Sequence, residues 1–232
     1  MSRPCFELIA MHGWAGDSRA WRPWQQAATS RGWSWQSGER GYGQLAPHTP
    51  RWLELGGPRA VIVHSLGLHL LPAPVLAEAE AVVLLASFGR FIPTGPEGRR
   101  WRQALRGMDR RLGAGDTTAL LEEFLREAAA PAPVELLPEG PSSREMPAEG
   151  VERLRQDLLL LEQCTAVPSA FPAGARTLIV EAEADRIVAP ESRTALHRAL
   201  PAAERWALPG IGHSLLGSDL VEPVLTWLED AH

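Results

Sequence analysis

The sequence predicts an α/β protein: a mostly parallel central sheet with helices on both faces and a helical insertion. Three observations carry that prediction. Short runs such as AVIVH (60–64) and VVLLA (82–86) are aliphatic on both faces, the pattern of strands buried between two helix layers. These runs alternate with longer segments of helical periodicity, the order that parallel strands need for their crossovers. Between residues 90 and 170 the alternation stops, and helical patterns follow one another with no convincing strand.

In chain order, residues 6–11 read as a strand. Residues 19–31 read as a helix capped by Asp17 or Ser18. Residues 33–36 are a short strand, followed by a Gly-rich loop at 38–43. Residues 60–64 are a fully buried strand. Residues 66–77 have helical character that Pro72 and Pro74 distort or shorten. Residues 82–86, 177–182 and 205–208 are further strands, with Pro190 opening a helix before the last, and residues 220–230 form an amphipathic helix. Within 90–170 three helices are predicted, at 99–112, 117–129 and 150–163. The Pro-rich stretch PAPVELLPEGPSSREMPAEG lies between the second and third as a loop. The expected organisation is a core made of 1–89 and 171–232, with 90–170 as a helical lid at the C-terminal edge of the sheet.

Composition narrows the function classes. At 45% hydrophobic and 22% charged, the 232 residues can bury a sizeable core and are not a disordered chain. The net charge of -5 argues against a general nucleic-acid binder. All 23 basic residues are Arg, which excludes a lysine Schiff base and a Walker-type phosphate lysine. Two cysteines without a CxxC spacing argue against a disulfide framework or structural zinc and fit a reducing compartment. The N-terminus lacks a signal peptide's apolar centre, and no apolar run approaches the ~20 residues that span a bilayer. A cytoplasmic protein is expected, with neither a membrane nor a nucleic acid as partner.

Chemistry gathers around Ser65. In VHSLG, the serine follows a buried strand and precedes a helical segment. A sharp turn there exposes the hydroxyl and aims backbone N–H groups at a developing oxyanion. The usual pattern is G-x-S-x-G. Here Gly67 is present, but Val63 stands in the first glycine position. Asp185 lies in the loop after the 177–182 strand, and His213 in a Gly-rich loop after the last strand. A serine hydroxyl needs a base to take its proton, and that base needs a carboxylate on its other nitrogen, so Ser65, His213 and Asp185 form a candidate catalytic triad. Glu181 and Glu183 compete for the acid role but lie nearer the strand, as salt-bridge partners or strand-end residues. Among the remaining histidines, His12 reads as a loop-organising hydrogen bonder and His64 as pointing away from Ser65. His69 reads as core or pocket lining, and His48, His197 and His232 as surface residues. Trp21, Trp24, Trp33 and Trp35 read as core packing. The candidate oxyanion donors are the backbone N–H groups of Leu66 and Trp14, with Gly13 allowing close approach. No metal box is present, and neither metal nor cofactor is expected.

These elements, in the order HGW, VHSLG, Asp185 and His213, resemble the α/β-hydrolase superfamily over nearly the whole chain. Within it, HGW, SLG, a compact helical lid and the EEFLRE segment around Phe124 are similar to the carboxylesterases that demethylate pimeloyl-acyl-carrier-protein methyl ester in biotin synthesis. That resemblance implies a serine carboxylesterase without a cofactor, an acyl-carrier protein as partner, and Phe124 and Trp14 lining the substrate channel. The sequence departs from the family where Ala119 and Glu123 stand at places that hold arginines there. The helix at 99–112 supplies a different basic face. Trp101, Leu105, Met108 and Leu112 form one apolar stripe, and Arg99, Arg102, Arg106 and Arg110 a basic row opposite it. Arg99, Arg102 and Arg106 are therefore candidate contacts for an anionic carrier or its phosphopantetheine arm, unless the row is simply a solvated face. A general short-chain esterase or thioesterase would use the same triad, and a hydrolase fold reused for binding would keep the same elements without turnover.

Overall fold

The computed structural model describes residues 5–142, 144 and 146–230. Six strands, β1 (Glu7–Met11), β2 (Ser34–Gly38), β3 (Arg59–His64), β4 (Ala81–Leu85), β5 (Arg176–Ala182) and β6 (Glu204–Leu208), form one sheet in the order β2-β1-β3-β4-β5-β6. Every neighbouring pair is parallel. Eight α-helices accompany it among the described residues: α1 (Arg22–Ser30), α2 (Gly67–Leu70), α3 (Ala73–Ala77), α4 (Glu97–Gly113), α5 (Thr117–Ala129), α6 (Ala148–Gln163), α7 (Pro190–Ala199) and α8 (Val221–Glu229).

Strand alternation sorts the core into two layers. Leu8 and Ala10 of β1, Ile62 of β3 and Val83 of β4 pack with Trp24 and Ala28 of α1 and with Val224, Leu225 and Leu228 of α8. The intervening residues, Ile9, Met11, Val61, Val63, Val82 and Leu84, face Leu68, Val75, Leu76 and Leu196 on the other side. The central strands β1, β3 and β4 are thus apolar on both faces because each face carries a helix layer. Burying one such aliphatic side chain stabilises the fold by about 1.5–3 kcal/mol.

A third apolar cluster lies over the C-terminal edge of the sheet. It joins Trp14, Leu66 and Phe88 from the core to Leu105, Leu120 and Leu158 of α4, α5 and α6, the helices inserted between β4 and β5. The predicted stripe is present: Leu105 and Leu112 are buried, and Trp101 and Met108 pack against them. A half-buried ion pair fastens this insertion. Arg40, in the loop after β2, donates from Nε and Nη2 to Asp157 of α6 at 2.9 and 2.7 Å, and the Tyr42 hydroxyl donates to the same carboxylate at 2.5 Å. Gly150 of α6 sits against the Tyr42 carbonyl so closely that a Cβ would lie 1.9 Å from its oxygen.

Two predicted helices are divided in the structure. Residues 19–31 divide into a 3-10 turn, Ser18–Trp21, and α1, with a proline in the first turn of α1; Asp17 caps the turn by accepting the Arg19 N–H at 2.9 Å. Residues 66–77 divide into α2 and α3, because Leu71 is extended (φ -66, ψ 141) ahead of Pro72. The ring of a proline disfavours helical geometry in the residue before it and suits the first turn of a new helix.

The chain leaves β1 to form β2 on one side and returns as β3 on the other. That reversal opens a crevice at the C-terminal ends of β1 and β3, where open α/β sheets build their sites.

Candidate active site

Ser65 directly follows β3 and has φ 54. A non-glycine residue in this region costs on the order of 1–2 kcal/mol and persists only where its surroundings hold it. Here the Ser65 N–H donates to the Leu85 carbonyl at 2.9 Å, and the Ser87 hydroxyl donates to the Ser65 carbonyl at 2.7 Å. Gly67 is required two residues on: a Cβ there would lie 2.3 Å from the Met11 carbonyl oxygen. Val63 needs no such room, because its side chain points down into the apolar layer with Ile9, Met11 and Leu68. The departure from G-x-S-x-G is thus absorbed by packing below the turn.

The three predicted residues meet. His213 Nε2 lies 3.0 Å from Ser65 Oγ, and His213 Nδ1 lies 2.8 Å from Asp185 Oδ2. Since the carboxylate only accepts, Nδ1 carries the proton and Nε2 is free to accept from the serine hydroxyl. The second Asp185 oxygen accepts the Ile187 and Val188 N–H groups at 2.7 and 3.0 Å. Burial pushes the Asp185 carboxyl up, but the charge and hydrogen bond of His213 and the two amides outweigh it, so the group sits below the ordinary aspartate value. Of the competing acids, Glu181 turns to His197 at 2.8 Å, and Glu183 is exposed.

The loop after β1 completes the crevice. A Cβ on Gly13 would lie 2.8 Å from Ser65 Cβ, so only glycine lets this loop approach so closely. The N–H groups of Trp14 and Leu66 donate to no backbone carbonyl among the described residues. His12 organises the loop: it is fully buried, its Nδ1 donates to the Gly13 carbonyl at 2.9 Å, and its Nε2 accepts the Arg40 N–H at 3.2 Å. Glu39 beside it accepts the Ser18 and Gly41 N–H groups. Burial raises the Glu39 carboxyl, but His12 and the two amides bring it down to about 2.

Trp14 and Phe124 meet edge to face at 4.8 Å above Ser65, and Trp14 Nε1 donates to the Leu154 carbonyl at 2.9 Å. Two pockets reach Ser65, and Trp14 and Phe124 line both. Arg99, Arg102 and Arg106 are not gathered there. They are exposed on α4 and line neither pocket, and Arg106 pairs with Glu162 at 3.1 Å. Glu123 pairs with Arg111.

The remaining histidines divide. His69 is half-buried; it stacks on Phe88 and donates to its carbonyl at 2.9 Å, and it lines neither Ser65 pocket. His48 is exposed, His197 is half-buried rather than fully on the surface, and His232 lies outside the described residues. His64, expected to point away from Ser65, instead packs against the His213 ring at 5.0 Å, bonds the His213 carbonyl and lines a pocket together with Ser65. That role, and the brace from Ser87, escape sequence reasoning. The only sequence signal for either is its place at the C-terminal end of a strand.

No protein-family model matches the chain, and no curated protein matches its sequence. Solved structures do match its fold. A thermophilic esterase from Thermogutta terrifontis is 16% identical, with a TM-score of 0.71 over 100% of this chain and 92% of the esterase. An enol-lactonase from Burkholderia xenovorans is 17% identical, with a TM-score of 0.68 over 97% and 91%. An alpha/beta hydrolase enzyme from a deep-sea metagenome library is 14% identical, with a TM-score of 0.66 over 96% and 89%. With its parallel sheet, its turn at Ser65 and its inserted helices, the chain has the α/β-hydrolase fold.

Proposed function

We propose that this protein is a serine hydrolase of carboxylic esters. The observation that carries the reading is the continuous relay from Ser65 Oγ through His213 to Asp185, at 3.0 and 2.8 Å, beneath an apolar cleft. Ser65 Oγ attacks the ester carbonyl carbon as its proton passes to His213 Nε2, and Asp185 steadies the imidazolium. The Trp14 and Leu66 N–H groups hold the oxyanion; losing one such donor costs on the order of 100-fold in rate. His213 returns the proton to the leaving alcohol, then takes one from the water that cleaves the acyl-serine. The esterase and enol-lactonase among the structural neighbours accord with this chemistry.

The finer reading is a carboxylesterase that removes the methyl group from pimeloyl-acyl-carrier-protein methyl ester in biotin precursor synthesis, in the cytoplasm, with 90–170 as its lid. The HGW and SLG motifs support it, as does the exposed basic face of α4 with Arg99, Arg102 and Arg106. A carrier-bound acyl chain has to emerge from the protein. Ala104 and Met108 line both a Ser65 pocket and a surface groove bounded by Arg110 and Arg111. The two cysteines are free thiols, and no helix among the described residues is long and apolar enough to cross a membrane.

Purified protein assayed on pimeloyl-acyl-carrier-protein methyl ester, with Ser65→Ala as control, tests both levels. Ser65-dependent demethylation that weakens when Arg102 and Arg106 are neutralised supports the carrier reading. Ser65-dependent cleavage of small esters alone leaves a general short-chain esterase or thioesterase. No turnover of any ester leaves a binding protein on a hydrolase fold.

A further inference from the structure

Gly150, Arg153, Leu154 and Asp157 stand at i, i+3, i+4 and i+7, so they share one side of α6. Each touches the loop after β1 or the loop after β2. Leu154 accepts the Trp14 indole N–H at 2.9 Å, and Asp157 accepts from the Arg40 guanidinium and the Tyr42 hydroxyl. Arg153 Nη1 donates to the Gly41 carbonyl at 2.8 Å, and Gly150 lies against the Tyr42 carbonyl. Resting on the hydrolase reading above, we infer that α6 braces the oxyanion hole, and that Asp157 is a positioning residue that acts through Arg40 and His12 on the Trp14 N–H.

The peptide that joins Gly13 to Trp14 carries the effect. It is planar and trans, so its carbonyl and its N–H point in opposite directions. Fixing the Gly13 carbonyl therefore aims the Trp14 N–H. Two donors fix that carbonyl, His12 Nδ1 at 2.9 Å and the Gly16 N–H at 3.2 Å. His12 is held in turn at its other nitrogen by the Arg40 N–H at 3.2 Å, and its ring meets Tyr42 edge-on at 5.8 Å. Arg40 and Tyr42 are the two residues that Asp157 grips. An unbroken path thus leads from the Asp157 carboxylate to the N–H that faces the oxyanion.

The second tie reaches the same residue from its other end, because Leu154 holds the Trp14 indole. Trp14 is gripped by its ring and by its peptide, both from α6. A donor aimed in advance needs no reorganisation when the oxyanion forms, which is the source of its effect on rate. Only a carboxylate can fill the place of Asp157. It accepts the two guanidinium bonds and the tyrosine hydroxyl together, whereas an amide would turn a donor toward one of them.

Asp157→Asn and Arg40→Met each cut the path and leave Ser65, His213 and Asp185 in place. The readouts are kcat and KM on p-nitrophenyl butyrate, per active site titrated with a fluorophosphonate, and the inhibition constant of an aliphatic trifluoromethyl ketone. Ser65 Oγ adds to the ketone carbon, its proton passes to His213 Nε2, and the ketone oxygen becomes the oxyanion. Each variant should lower kcat about 10-fold, short of the ~100-fold for a donor removed outright, with KM changed less than about 2-fold. The inhibition constant should rise by a similar factor. Leu112→Ala, which opens the same apolar cluster from α4 without touching this path, should lower the melting temperature and leave both readouts in place. Arg40→Met carries the test if Asp157→Asn does not fold. Variants that lose thermal stability but keep the wild-type kcat per titrated site and inhibition constant overturn the role of Asp157 and leave the hydrolase reading standing. A raised KM with unchanged kcat does the same. A wild-type protein with neither turnover nor titration removes the hydrolase reading and this inference together.

Discussion

His64 donates from Nε2 to the carbonyl oxygen of His213 at 3.0 Å, so the residue before Ser65 holds the loop that carries Ser65's hydrogen-bond partner. The link joins two positions at the same end of the sheet that are far apart in sequence. Replacing His64 by Leu leaves a buried carbonyl without its donor, at a cost of about 1–3 kcal/mol. The expected outcome is a lower melting temperature and a kcat reduced about 10-fold or more, with KM nearly unchanged. His64→Gln, which keeps an N–H donor, should recover part of both. Steady-state kinetics of the two variants check this.

The same histidine should make stability depend on pH. Burial, and after it the charge of His213, lower His64 to about 3, against an ordinary histidine value near 6.5. Between those values the unfolded chain binds a proton that the folded one does not, so stability falls as pH drops through this window. From pH 7 to 5 the loss from this group is about 2 kcal/mol. The lowered carboxyls of Asp185 and Glu39 act in the same direction, but only at lower pH. Urea unfolding at pH 7 and pH 5 should show a smaller difference for His64→Gln than for the wild type. An equal difference would remove His64 as the source.

Gly67→Ala should destabilise the protein, although alanine normally improves a helix by about 1 kcal/mol. The added Cβ would stand 2.3 Å from the Met11 carbonyl oxygen, and a backbone atom cannot yield as a side-chain tip can. Overpacking of this kind costs about 1–3 kcal/mol. Chemical denaturation reads the sign directly.

Asp157→Ala should cost on the order of 1–3 kcal/mol, because it leaves the fully buried Tyr42 hydroxyl and the half-buried Arg40 guanidinium without their acceptor. A double variant, Arg40→Met with Asp157→Leu, should regain only the part of the loss that comes from Arg40, since the Tyr42 hydroxyl still lacks its acceptor. Denaturation midpoints of the single and double variants give the coupling.

What is legible in the sequence and what is hidden follow from distance along the chain. The buried strands are legible because aliphatic runs on two faces have few competing solutions, and the order Ser65, Asp185, His213 is legible because each follows a strand. The preference for Asp185 over Glu181 fits the contacts, since Glu181 is occupied by His197. Proline positions are legible, but their consequence is larger than the pattern suggests: Pro72 divides a helix instead of bending it. The ties from Arg40 to Asp157 and from Trp14 to Leu154 are not legible, because nothing in either local pattern marks its distant partner. The basic row of α4 is legible as a row. Its exposure, away from Ser65, depends on the packing of α4 against α6, which no local pattern encodes.

The functional reading stands or falls on the activation of Ser65 by His213 and Asp185. Labelling with a fluorophosphonate probe, located by peptide mass spectrometry, tests it without knowledge of the substrate. The expected result is one phosphonylated residue, Ser65, with labelling lost in Ser65→Ala and strongly slowed in His213→Ala. A folded protein that takes up no label, or carries it on a different residue, would mean that Ser65 is not an activated nucleophile.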